Sequence, residues 1–246
     1  TPQLAPGVTI TNTSDITVLR PDDAFGLEFT STGPVTVRNS GALDITSTDA
    51  LADGIFVSGS DVLVRNSDQI DARGDEWAAG IEAQGSDRAR VINRGAITAT
   101  AAAGDPVFDK YGYGYVVGFT NGGAAYGVYA TGGADGTQVT NTTDGHIGAT
   151  GAFAQGIHAY NGDGTSVRVG NAGQIEATGY YASGIVAASP VEGSLVRVHN
   201  SGDMGSPRVT GSMSRLRSWI KVASVAAIAC RPPPGWRIRA GSAVSE

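Results

Sequence analysis

The stretch VTVRNSGALDITS (residues 35–47) is followed 27 residues on by VLVRNSDQIDARG (62–74), and again by ARVINRGAITATA (89–101). Within each stretch, apolar residues alternate with polar ones up to an asparagine, a small or polar turn follows, and a second alternating run begins. Period-two alternation is the mark of a strand with one buried face. Working outward, the same asparagine is found at Asn12, Asn39, Asn66, Asn93, Asn141, Asn171 and Asn200, at spacings of 27, 27, 27, 48, 30 and 29. Ile10 or a valine stands two residues before each, and valine stands four before in all cases but Ala89 and Thr137. The second apolar position recurs as Ile16, Leu43, Ile70, Ile97, Ile147, Ile175 and Met204.

A further landmark, Ala-x-Gly plus an aliphatic residue, occurs six times, from Ala24–Leu27 through Ala182–Ile185. Each repeat of about 28 residues therefore reads strand, turn, strand, loop, strand, loop. Three short strands cannot enclose a core by themselves. Stacked repeats bury their inward side chains in one column and pair each backbone with the turns on either side. The expected fold is all-β: a single-stranded parallel β-helix, or solenoid, of about seven coils over residues 7–212, preceded by a lead-in at 1–6. Leucine-rich repeats are excluded because the inward positions are Val, Ile and Ala, and helical repeats by the alternation and the 36 glycines. The asparagines are expected to stack at one corner as a structural amide ladder.

The segments VTVRNSG, VLVRNSDQIDARG, RVINRGAITAT and VRVGNAGQIEATGYYASGI resemble the β-helical passenger domains of bacterial autotransporters, the surface and secreted proteins of type V secretion. The resemblance spans Gly7 to Met204. It implies export to the cell surface or outer membrane of a Gram-negative bacterium, or secretion, through a translocator barrel that has no counterpart in the sequence. It implies no single activity, because such passengers include adhesins, proteases and lipases. The favoured expectation is a non-catalytic stalk that presents loops to a host-cell or matrix protein or glycan. The alternative is a polysaccharide lyase or hydrolase built on a parallel β-helix.

The chain carries 17 basic and 23 acidic residues, a net charge of -6, which gives the whole protein no pull toward nucleic acid. The charge is uneven: residues 1–212 hold 11 basic and 22 acidic residues, and residues 213–246 hold the remaining 6 and 1. That tail also holds the one cysteine, Cys230, two of the three tryptophans and the run Pro232–Pro234, and it lacks the repeat landmarks. It reads as disordered or as translated out of frame, the other account being a short membrane-surface segment. The start at Thr1, with no leader, reads as a processed end or a fragment.

No catalytic, cofactor or metal set emerges. G-x-S-x-G is absent, the three histidines lack metal-helix spacing, and Asp22-Asp23 reads as a turn. GGADGTQV and NGDGTSV lack the nine-residue period of a calcium array and read as Asx turns. Two interaction candidates remain. Arg73, Gly74 and Asp75 form the tripeptide that some adhesins use toward integrins, in the loop after a second strand, although this composition also yields it by chance. The long 48-residue interval carries an insertion around 101–124 with Tyr111, Tyr113, Tyr115 and Phe119. It reads either as a contact loop or as a β-hairpin or partial coil packed on the rod.

Overall fold

The computed structural model describes residues 7–108, 116–163, 166–190, 194–205 and 220–224, with backbone only for 105–121 where described and for 220–224. It is a parallel β-solenoid in which three strand columns wind about one core. The first column holds the asparagine strands: β1 (Val8–Asn12), β4 (Val35–Asn39), the second half of β6 (Leu51–Asn66), the second half of β8 (Trp77–Asn93), β13 (Gly136–Asn141), β16 (Ser166–Asn171) and β19 (Leu195–Asn200). The second column is β2 (Ile16–Arg20), β5 (Leu43–Ser47), β7 (Ile70–Arg73), β9 (Ala96–Thr100), β14 (His146–Thr150), β17 (Gln174–Thr178) and β20 (Asp203–Met204). The third contains β3 (Ala24–Thr30), the first halves of β6 and β8, β12 (Ala124–Gly132), β15 (Phe153–Asn161) and β18 (Tyr181–Ser189).

Seven asparagine strands bound six complete turns, close to the expected coil number, and β19 and β20 begin a seventh. Strand β21 (Ile220–Ser224), inside the tail, pairs in parallel with β18, setting Ile220 opposite Ile185 and Val222 opposite Ala187. The tail thus supplies a third-column strand, although its sequence lacks the Ala-x-Gly that marks the others. In β6 and β8 the third strand of one turn runs without a break into the first strand of the next, with a bulge between Gly59 and Asp61.

Sequence landmarks become stacks. Val37, Val64, Val91, Val139 and Val169 lie in register and are buried, as are Leu43, Ile70, Ile97, Ile147 and Ile175. A smaller alanine cluster (Ala78, Ala99, Ala101, Ala125, Ala149, Ala154, Ala177) fills the corner between the second and third columns, where the walls converge and leave room for methyl groups.

The glycine of Ala-x-Gly is required by close approach. A Cβ on Gly80 would sit 2.1 Å from Ile97 Cγ2 and 2.7 Å from the Gly127 carbonyl, and Gly54, Gly127 and Gly156 meet the same two kinds of neighbour. Each glycine lets the isoleucine of the second strand reach across the lumen.

The asparagines form a continuous side-chain ladder. Nδ2 of Asn12 donates to Oδ1 of Asn39 at 2.8 Å, and the series continues through Asn66 (2.9 Å), Asn93 (3.0 Å), Asn141 (3.0 Å), Asn171 (2.8 Å) and Asn200 (2.7 Å). Each Nδ2 also donates within its own turn, as Asn39 does to the Gly41 carbonyl (2.8 Å) and Asn93 to that of Gly95 (2.9 Å). Both amide protons are thereby satisfied, and from Asn39 to Asn171 the ladder is buried away from water.

Candidate functional site

A solenoid exposes the outward half of every alternating strand, so its functional surfaces are its faces. The outer face of the third column carries the richest chemistry. On β12, Tyr126 and Tyr129 point outward between Trp77 of β8 and His158 of β15. Tyr126 lies 4.5 Å from Trp77 and 5.1 Å from Tyr129 between ring centroids, and Tyr129 stacks on His158 at 4.9 Å with 13° between the planes. At the start of the next two strands of the same column, Phe153 stacks on Tyr181 at 5.0 Å. The parallel register brings this about, because rings at equivalent positions of successive turns are set about 4.8 Å apart by backbone pairing.

Two carboxyl groups lie at one end of this aromatic patch. Asp53 Oδ1 accepts from Trp77 Nε1 at 3.2 Å, and the Ala79 amide also donates to the carboxyl. Burial, with the charge of Glu82 adding to it, pushes Asp53 up to about 8 against these two donors. Glu82 is itself raised by burial, opposed by a hydrogen bond from Gln84. At neutral pH Asp53 is therefore mostly protonated. Burial lowers His158, which favours its neutral ring, and its Nδ1 lies within hydrogen-bond distance, 2.7 Å, of Gln155 Oε1. Both tyrosines are raised, chiefly by burial, and stay as phenols. The face thus offers flat rings, hydroxyls and amides. The two acids present little open oxygen, since Asp53 is 2% and Glu82 8% exposed.

Of the six residues Asp53, Trp77, Glu82, Tyr126, Tyr129 and His158, only Tyr126 and Tyr129 stand out in the sequence, as the end of the tyrosine-rich stretch from Phe108 to Tyr129. Asp53 and Tyr126 stand at the variable position of Ala-x-Gly, Glu82, Tyr129 and His158 at the second residue beyond the glycine, and Trp77 just before the alanine, so reading these three positions down the repeats would have gathered them. The candidates that were singled out are placed differently. Arg73 ends β7 and its guanidinium engages Asp44 at 2.7 Å and also Asp71. Gly74 and Asp75 turn the corner with their amides bonded to the carbonyls of Thr100 and Ala50, both at 3.0 Å. The tripeptide is a pinned corner with an engaged arginine. The insertion contains a two-stranded antiparallel hairpin, β10 (Ala103–Phe108) with β11 (Val116–Gly122), in which Phe119 opposes Pro106. Tyr111, Tyr113 and Tyr115 lie outside the described residues. The structure brings the two candidates together at the hairpin root, where the Ala102 amide donates to the Asp75 carbonyl at 3.0 Å.

Among the described residues no group of three His, Cys, Asp or Glu side chains is arranged to hold a metal ion, and no helix is long and apolar enough to cross a membrane. No protein-family model, curated protein or solved structure matches the chain.

Proposed function

We propose that this chain is a rigid, non-catalytic stalk segment from the passenger of a Gram-negative autotransporter, displayed at the cell surface or released, and that it attaches to a host or matrix glycan or protein through its lateral faces. The β-solenoid architecture supports the stalk, and the resemblance of the repeats to such passengers supports the display. On this reading its export partner is an outer-membrane translocator barrel. The observation that carries attachment is the aromatic patch. Trp77, Tyr126, Tyr129 and His158 form a half-buried ring surface flanked by Gln84 and Gln155, which suits the apolar faces and hydroxyls of a sugar. The test is binding of the purified chain to a panel of neutral oligosaccharides and to host cells, compared with Tyr126→Ala and Tyr129→Ala. Loss of binding in these variants supports the reading; binding that is unchanged in both removes the patch from it.

One observation favours a second reading. A protonated Asp53 beside Glu82 is the pairing of acid and carboxylate that glycoside hydrolysis requires, which would make the chain a polysaccharide-cleaving enzyme. The burial of both groups counts against it. Release of reducing sugars that disappears in Glu82→Gln would establish it.

A further inference from the structure

The outward positions of the first column flank the central valine of each asparagine strand and form two files along the rod. One file runs Thr9, Thr36, Leu63, Arg90, Gln138, Arg168, Arg197; its neighbour runs Thr11, Arg38, Arg65, Ile92, Thr140, Gly170, His199. Five of these fourteen residues are arginine and none is acidic, although residues 1–212 hold 22 acidic side chains against 11 basic ones. Nearly half the basic residues of the repeat region therefore share one sheet face. Arg38, Arg65, Arg168 and Arg197 are exposed, and none of the five takes part in an ion pair among the described residues. Arg88, at the strand entry, marks the edge of the stripe, because Asp61 (3.6 Å) and Asp135 (3.2 Å) engage it. Arg90 Nε is buried and finds no acceptor.

The C-terminal part of this face is concave. A shallow depression of about 350 Å³ is lined by Gln138, Thr140, Arg168, Gly170, Arg197 and His199. Gly170 makes the hollow, since a Cβ there would meet nothing within 4 Å.

We propose that this face binds a linear acidic polysaccharide, laid along the rod axis with its sulfate or carboxylate groups against Arg90, Arg168 and Arg197 in one file and Arg38 and Arg65 in the other. The inference deepens the attachment reading, on which it rests, and places a second class of ligand on a different face. Guanidinium forks in the three successive turns of Arg38, Arg65 and Arg90, and again in the two of Arg168 and Arg197 after the Gln138 turn, with turns about 4.8 Å apart, suit regularly spaced anions, which they engage in bidentate fashion. The intervening Thr, Gln and His side chains offer hydrogen bonds to sugar hydroxyls. Single-stranded nucleic acid is disfavoured because the stripe has no Phe, Tyr or Trp and a single imidazole, His199, at its end, too little ring surface for successive bases to stack on.

The full-length chain is assayed against a heparin oligosaccharide, polygalacturonate and single-stranded DNA across a salt series. The expected result is salt-dependent binding of heparin or polygalacturonate, weakened about tenfold or more in Arg168→Gln/Arg197→Gln, with a shallower salt slope. Arg168→Lys/Arg197→Lys should fall between, because it keeps charge and loses the fork. Arg20→Gln/Arg73→Gln, off the stripe, should match the parent. Heparin affinity unchanged in the glutamine pair would place the binding elsewhere, the basic tail included, and overturn the proposal. So would DNA binding as tight as heparin binding with the same arginine dependence. A chain that binds neutral glycans through Tyr126 but neither acidic polymer overturns the stripe and leaves attachment standing; one that binds none of them overturns both.

Discussion

Replacing Asn93 with alanine removes the middle rung of the amide ladder. Asn93 is fully buried. It donates to the Gly95 carbonyl at 2.9 Å and to Asn141 Oδ1 at 3.0 Å, and its own Oδ1 accepts from Asn66 Nδ2 at 3.0 Å. The substitution leaves the Gly95 and Asn141 oxygens without these donors and removes one of the two acceptors of Asn66, in a corner that water does not reach. With a buried unsatisfied group costing about 1–3 kcal/mol, the expected loss is about 4 kcal/mol. Asn12→Ala is the internal comparison. It breaks one rung, to Asn39, and an exposed bond to the Ser14 carbonyl, and should cost about 1 kcal/mol. Urea unfolding of the two variants beside the parent, followed by circular dichroism, reads the difference as a shift in midpoint. In a stack with nearest-neighbour coupling, the Asn93 variant should also broaden the transition or split it, as the halves on either side uncouple. Equal shifts for Asn93→Ala and Asn12→Ala, both under about 1 kcal/mol, would refute the reasoning and leave the ladder a by-product of backbone register.

Gly80→Ala should destabilise by about 3 kcal/mol or more, through overlap with Ile97 and the Gly127 carbonyl. Gly170→Ala should be neutral or slightly stabilising, and thermal melting separates the two. Asp53 titrates at about 8 in the folded chain against an ordinary 3.8, so between those limits the folded state holds a proton that the unfolded chain has released. Stability should therefore fall as pH rises from about 4 to about 8 and level off above that. Asp53→Asn should flatten most of this slope, leaving the smaller part that the raised Glu82 contributes, and exceed the parent at pH 9 by an amount on the order of a few kcal/mol, measured as urea midpoints at pH 5, 7 and 9. Arg73 is about half exposed, so Arg73→Gln should lower stability by less than about 1 kcal/mol. Because its guanidinium is engaged by two carboxylates, a soluble Arg-Gly-Asp peptide should not compete with cell attachment, which a plate assay reads directly.

The architecture was legible because two landmarks kept phase. The asparagine marks the end of each first strand, Ala-x-Gly marks each third strand, and the solenoid is what their joint period demands. The reason for the glycine was not legible. It depends on Ile70, Ile97, Ile147 and Ile175 reaching across the lumen, a contact between residues distant in their own repeat. Strand β21 was hidden because IKVAS alternates as the other strands do but lacks the Ala-x-Gly landmark: Arg217 and Trp219 stand before Ile220 where Ala182 and Gly184 stand before its partner Ile185. The faces were hidden for another reason. Composition averages over directions, and a net charge of -6 conceals five arginines that register sets side by side. Trp77, Tyr126 and His158 are likewise far apart in the chain and become neighbours through the pairing of β8, β12 and β15.

The six amide bonds of the ladder all run the same way, each Nδ2 giving its proton to the oxygen of the following turn. The rod therefore has a polarity like that of a filament. Among the described residues, the oxygen at the Asn12 end has only the Ser14 amide, at 3.3 Å, and Nδ2 at the Asn200 end serves only the Gly202 carbonyl, at 3.3 Å. One end is left accepting and the other donating. A further turn can extend the column at either end only with its asparagine in this orientation, so each completed turn is a template that fixes the phase of the next. Insertions such as the β10–β11 hairpin are tolerated between turns because the template reads the corner and not the length of chain that leads to it.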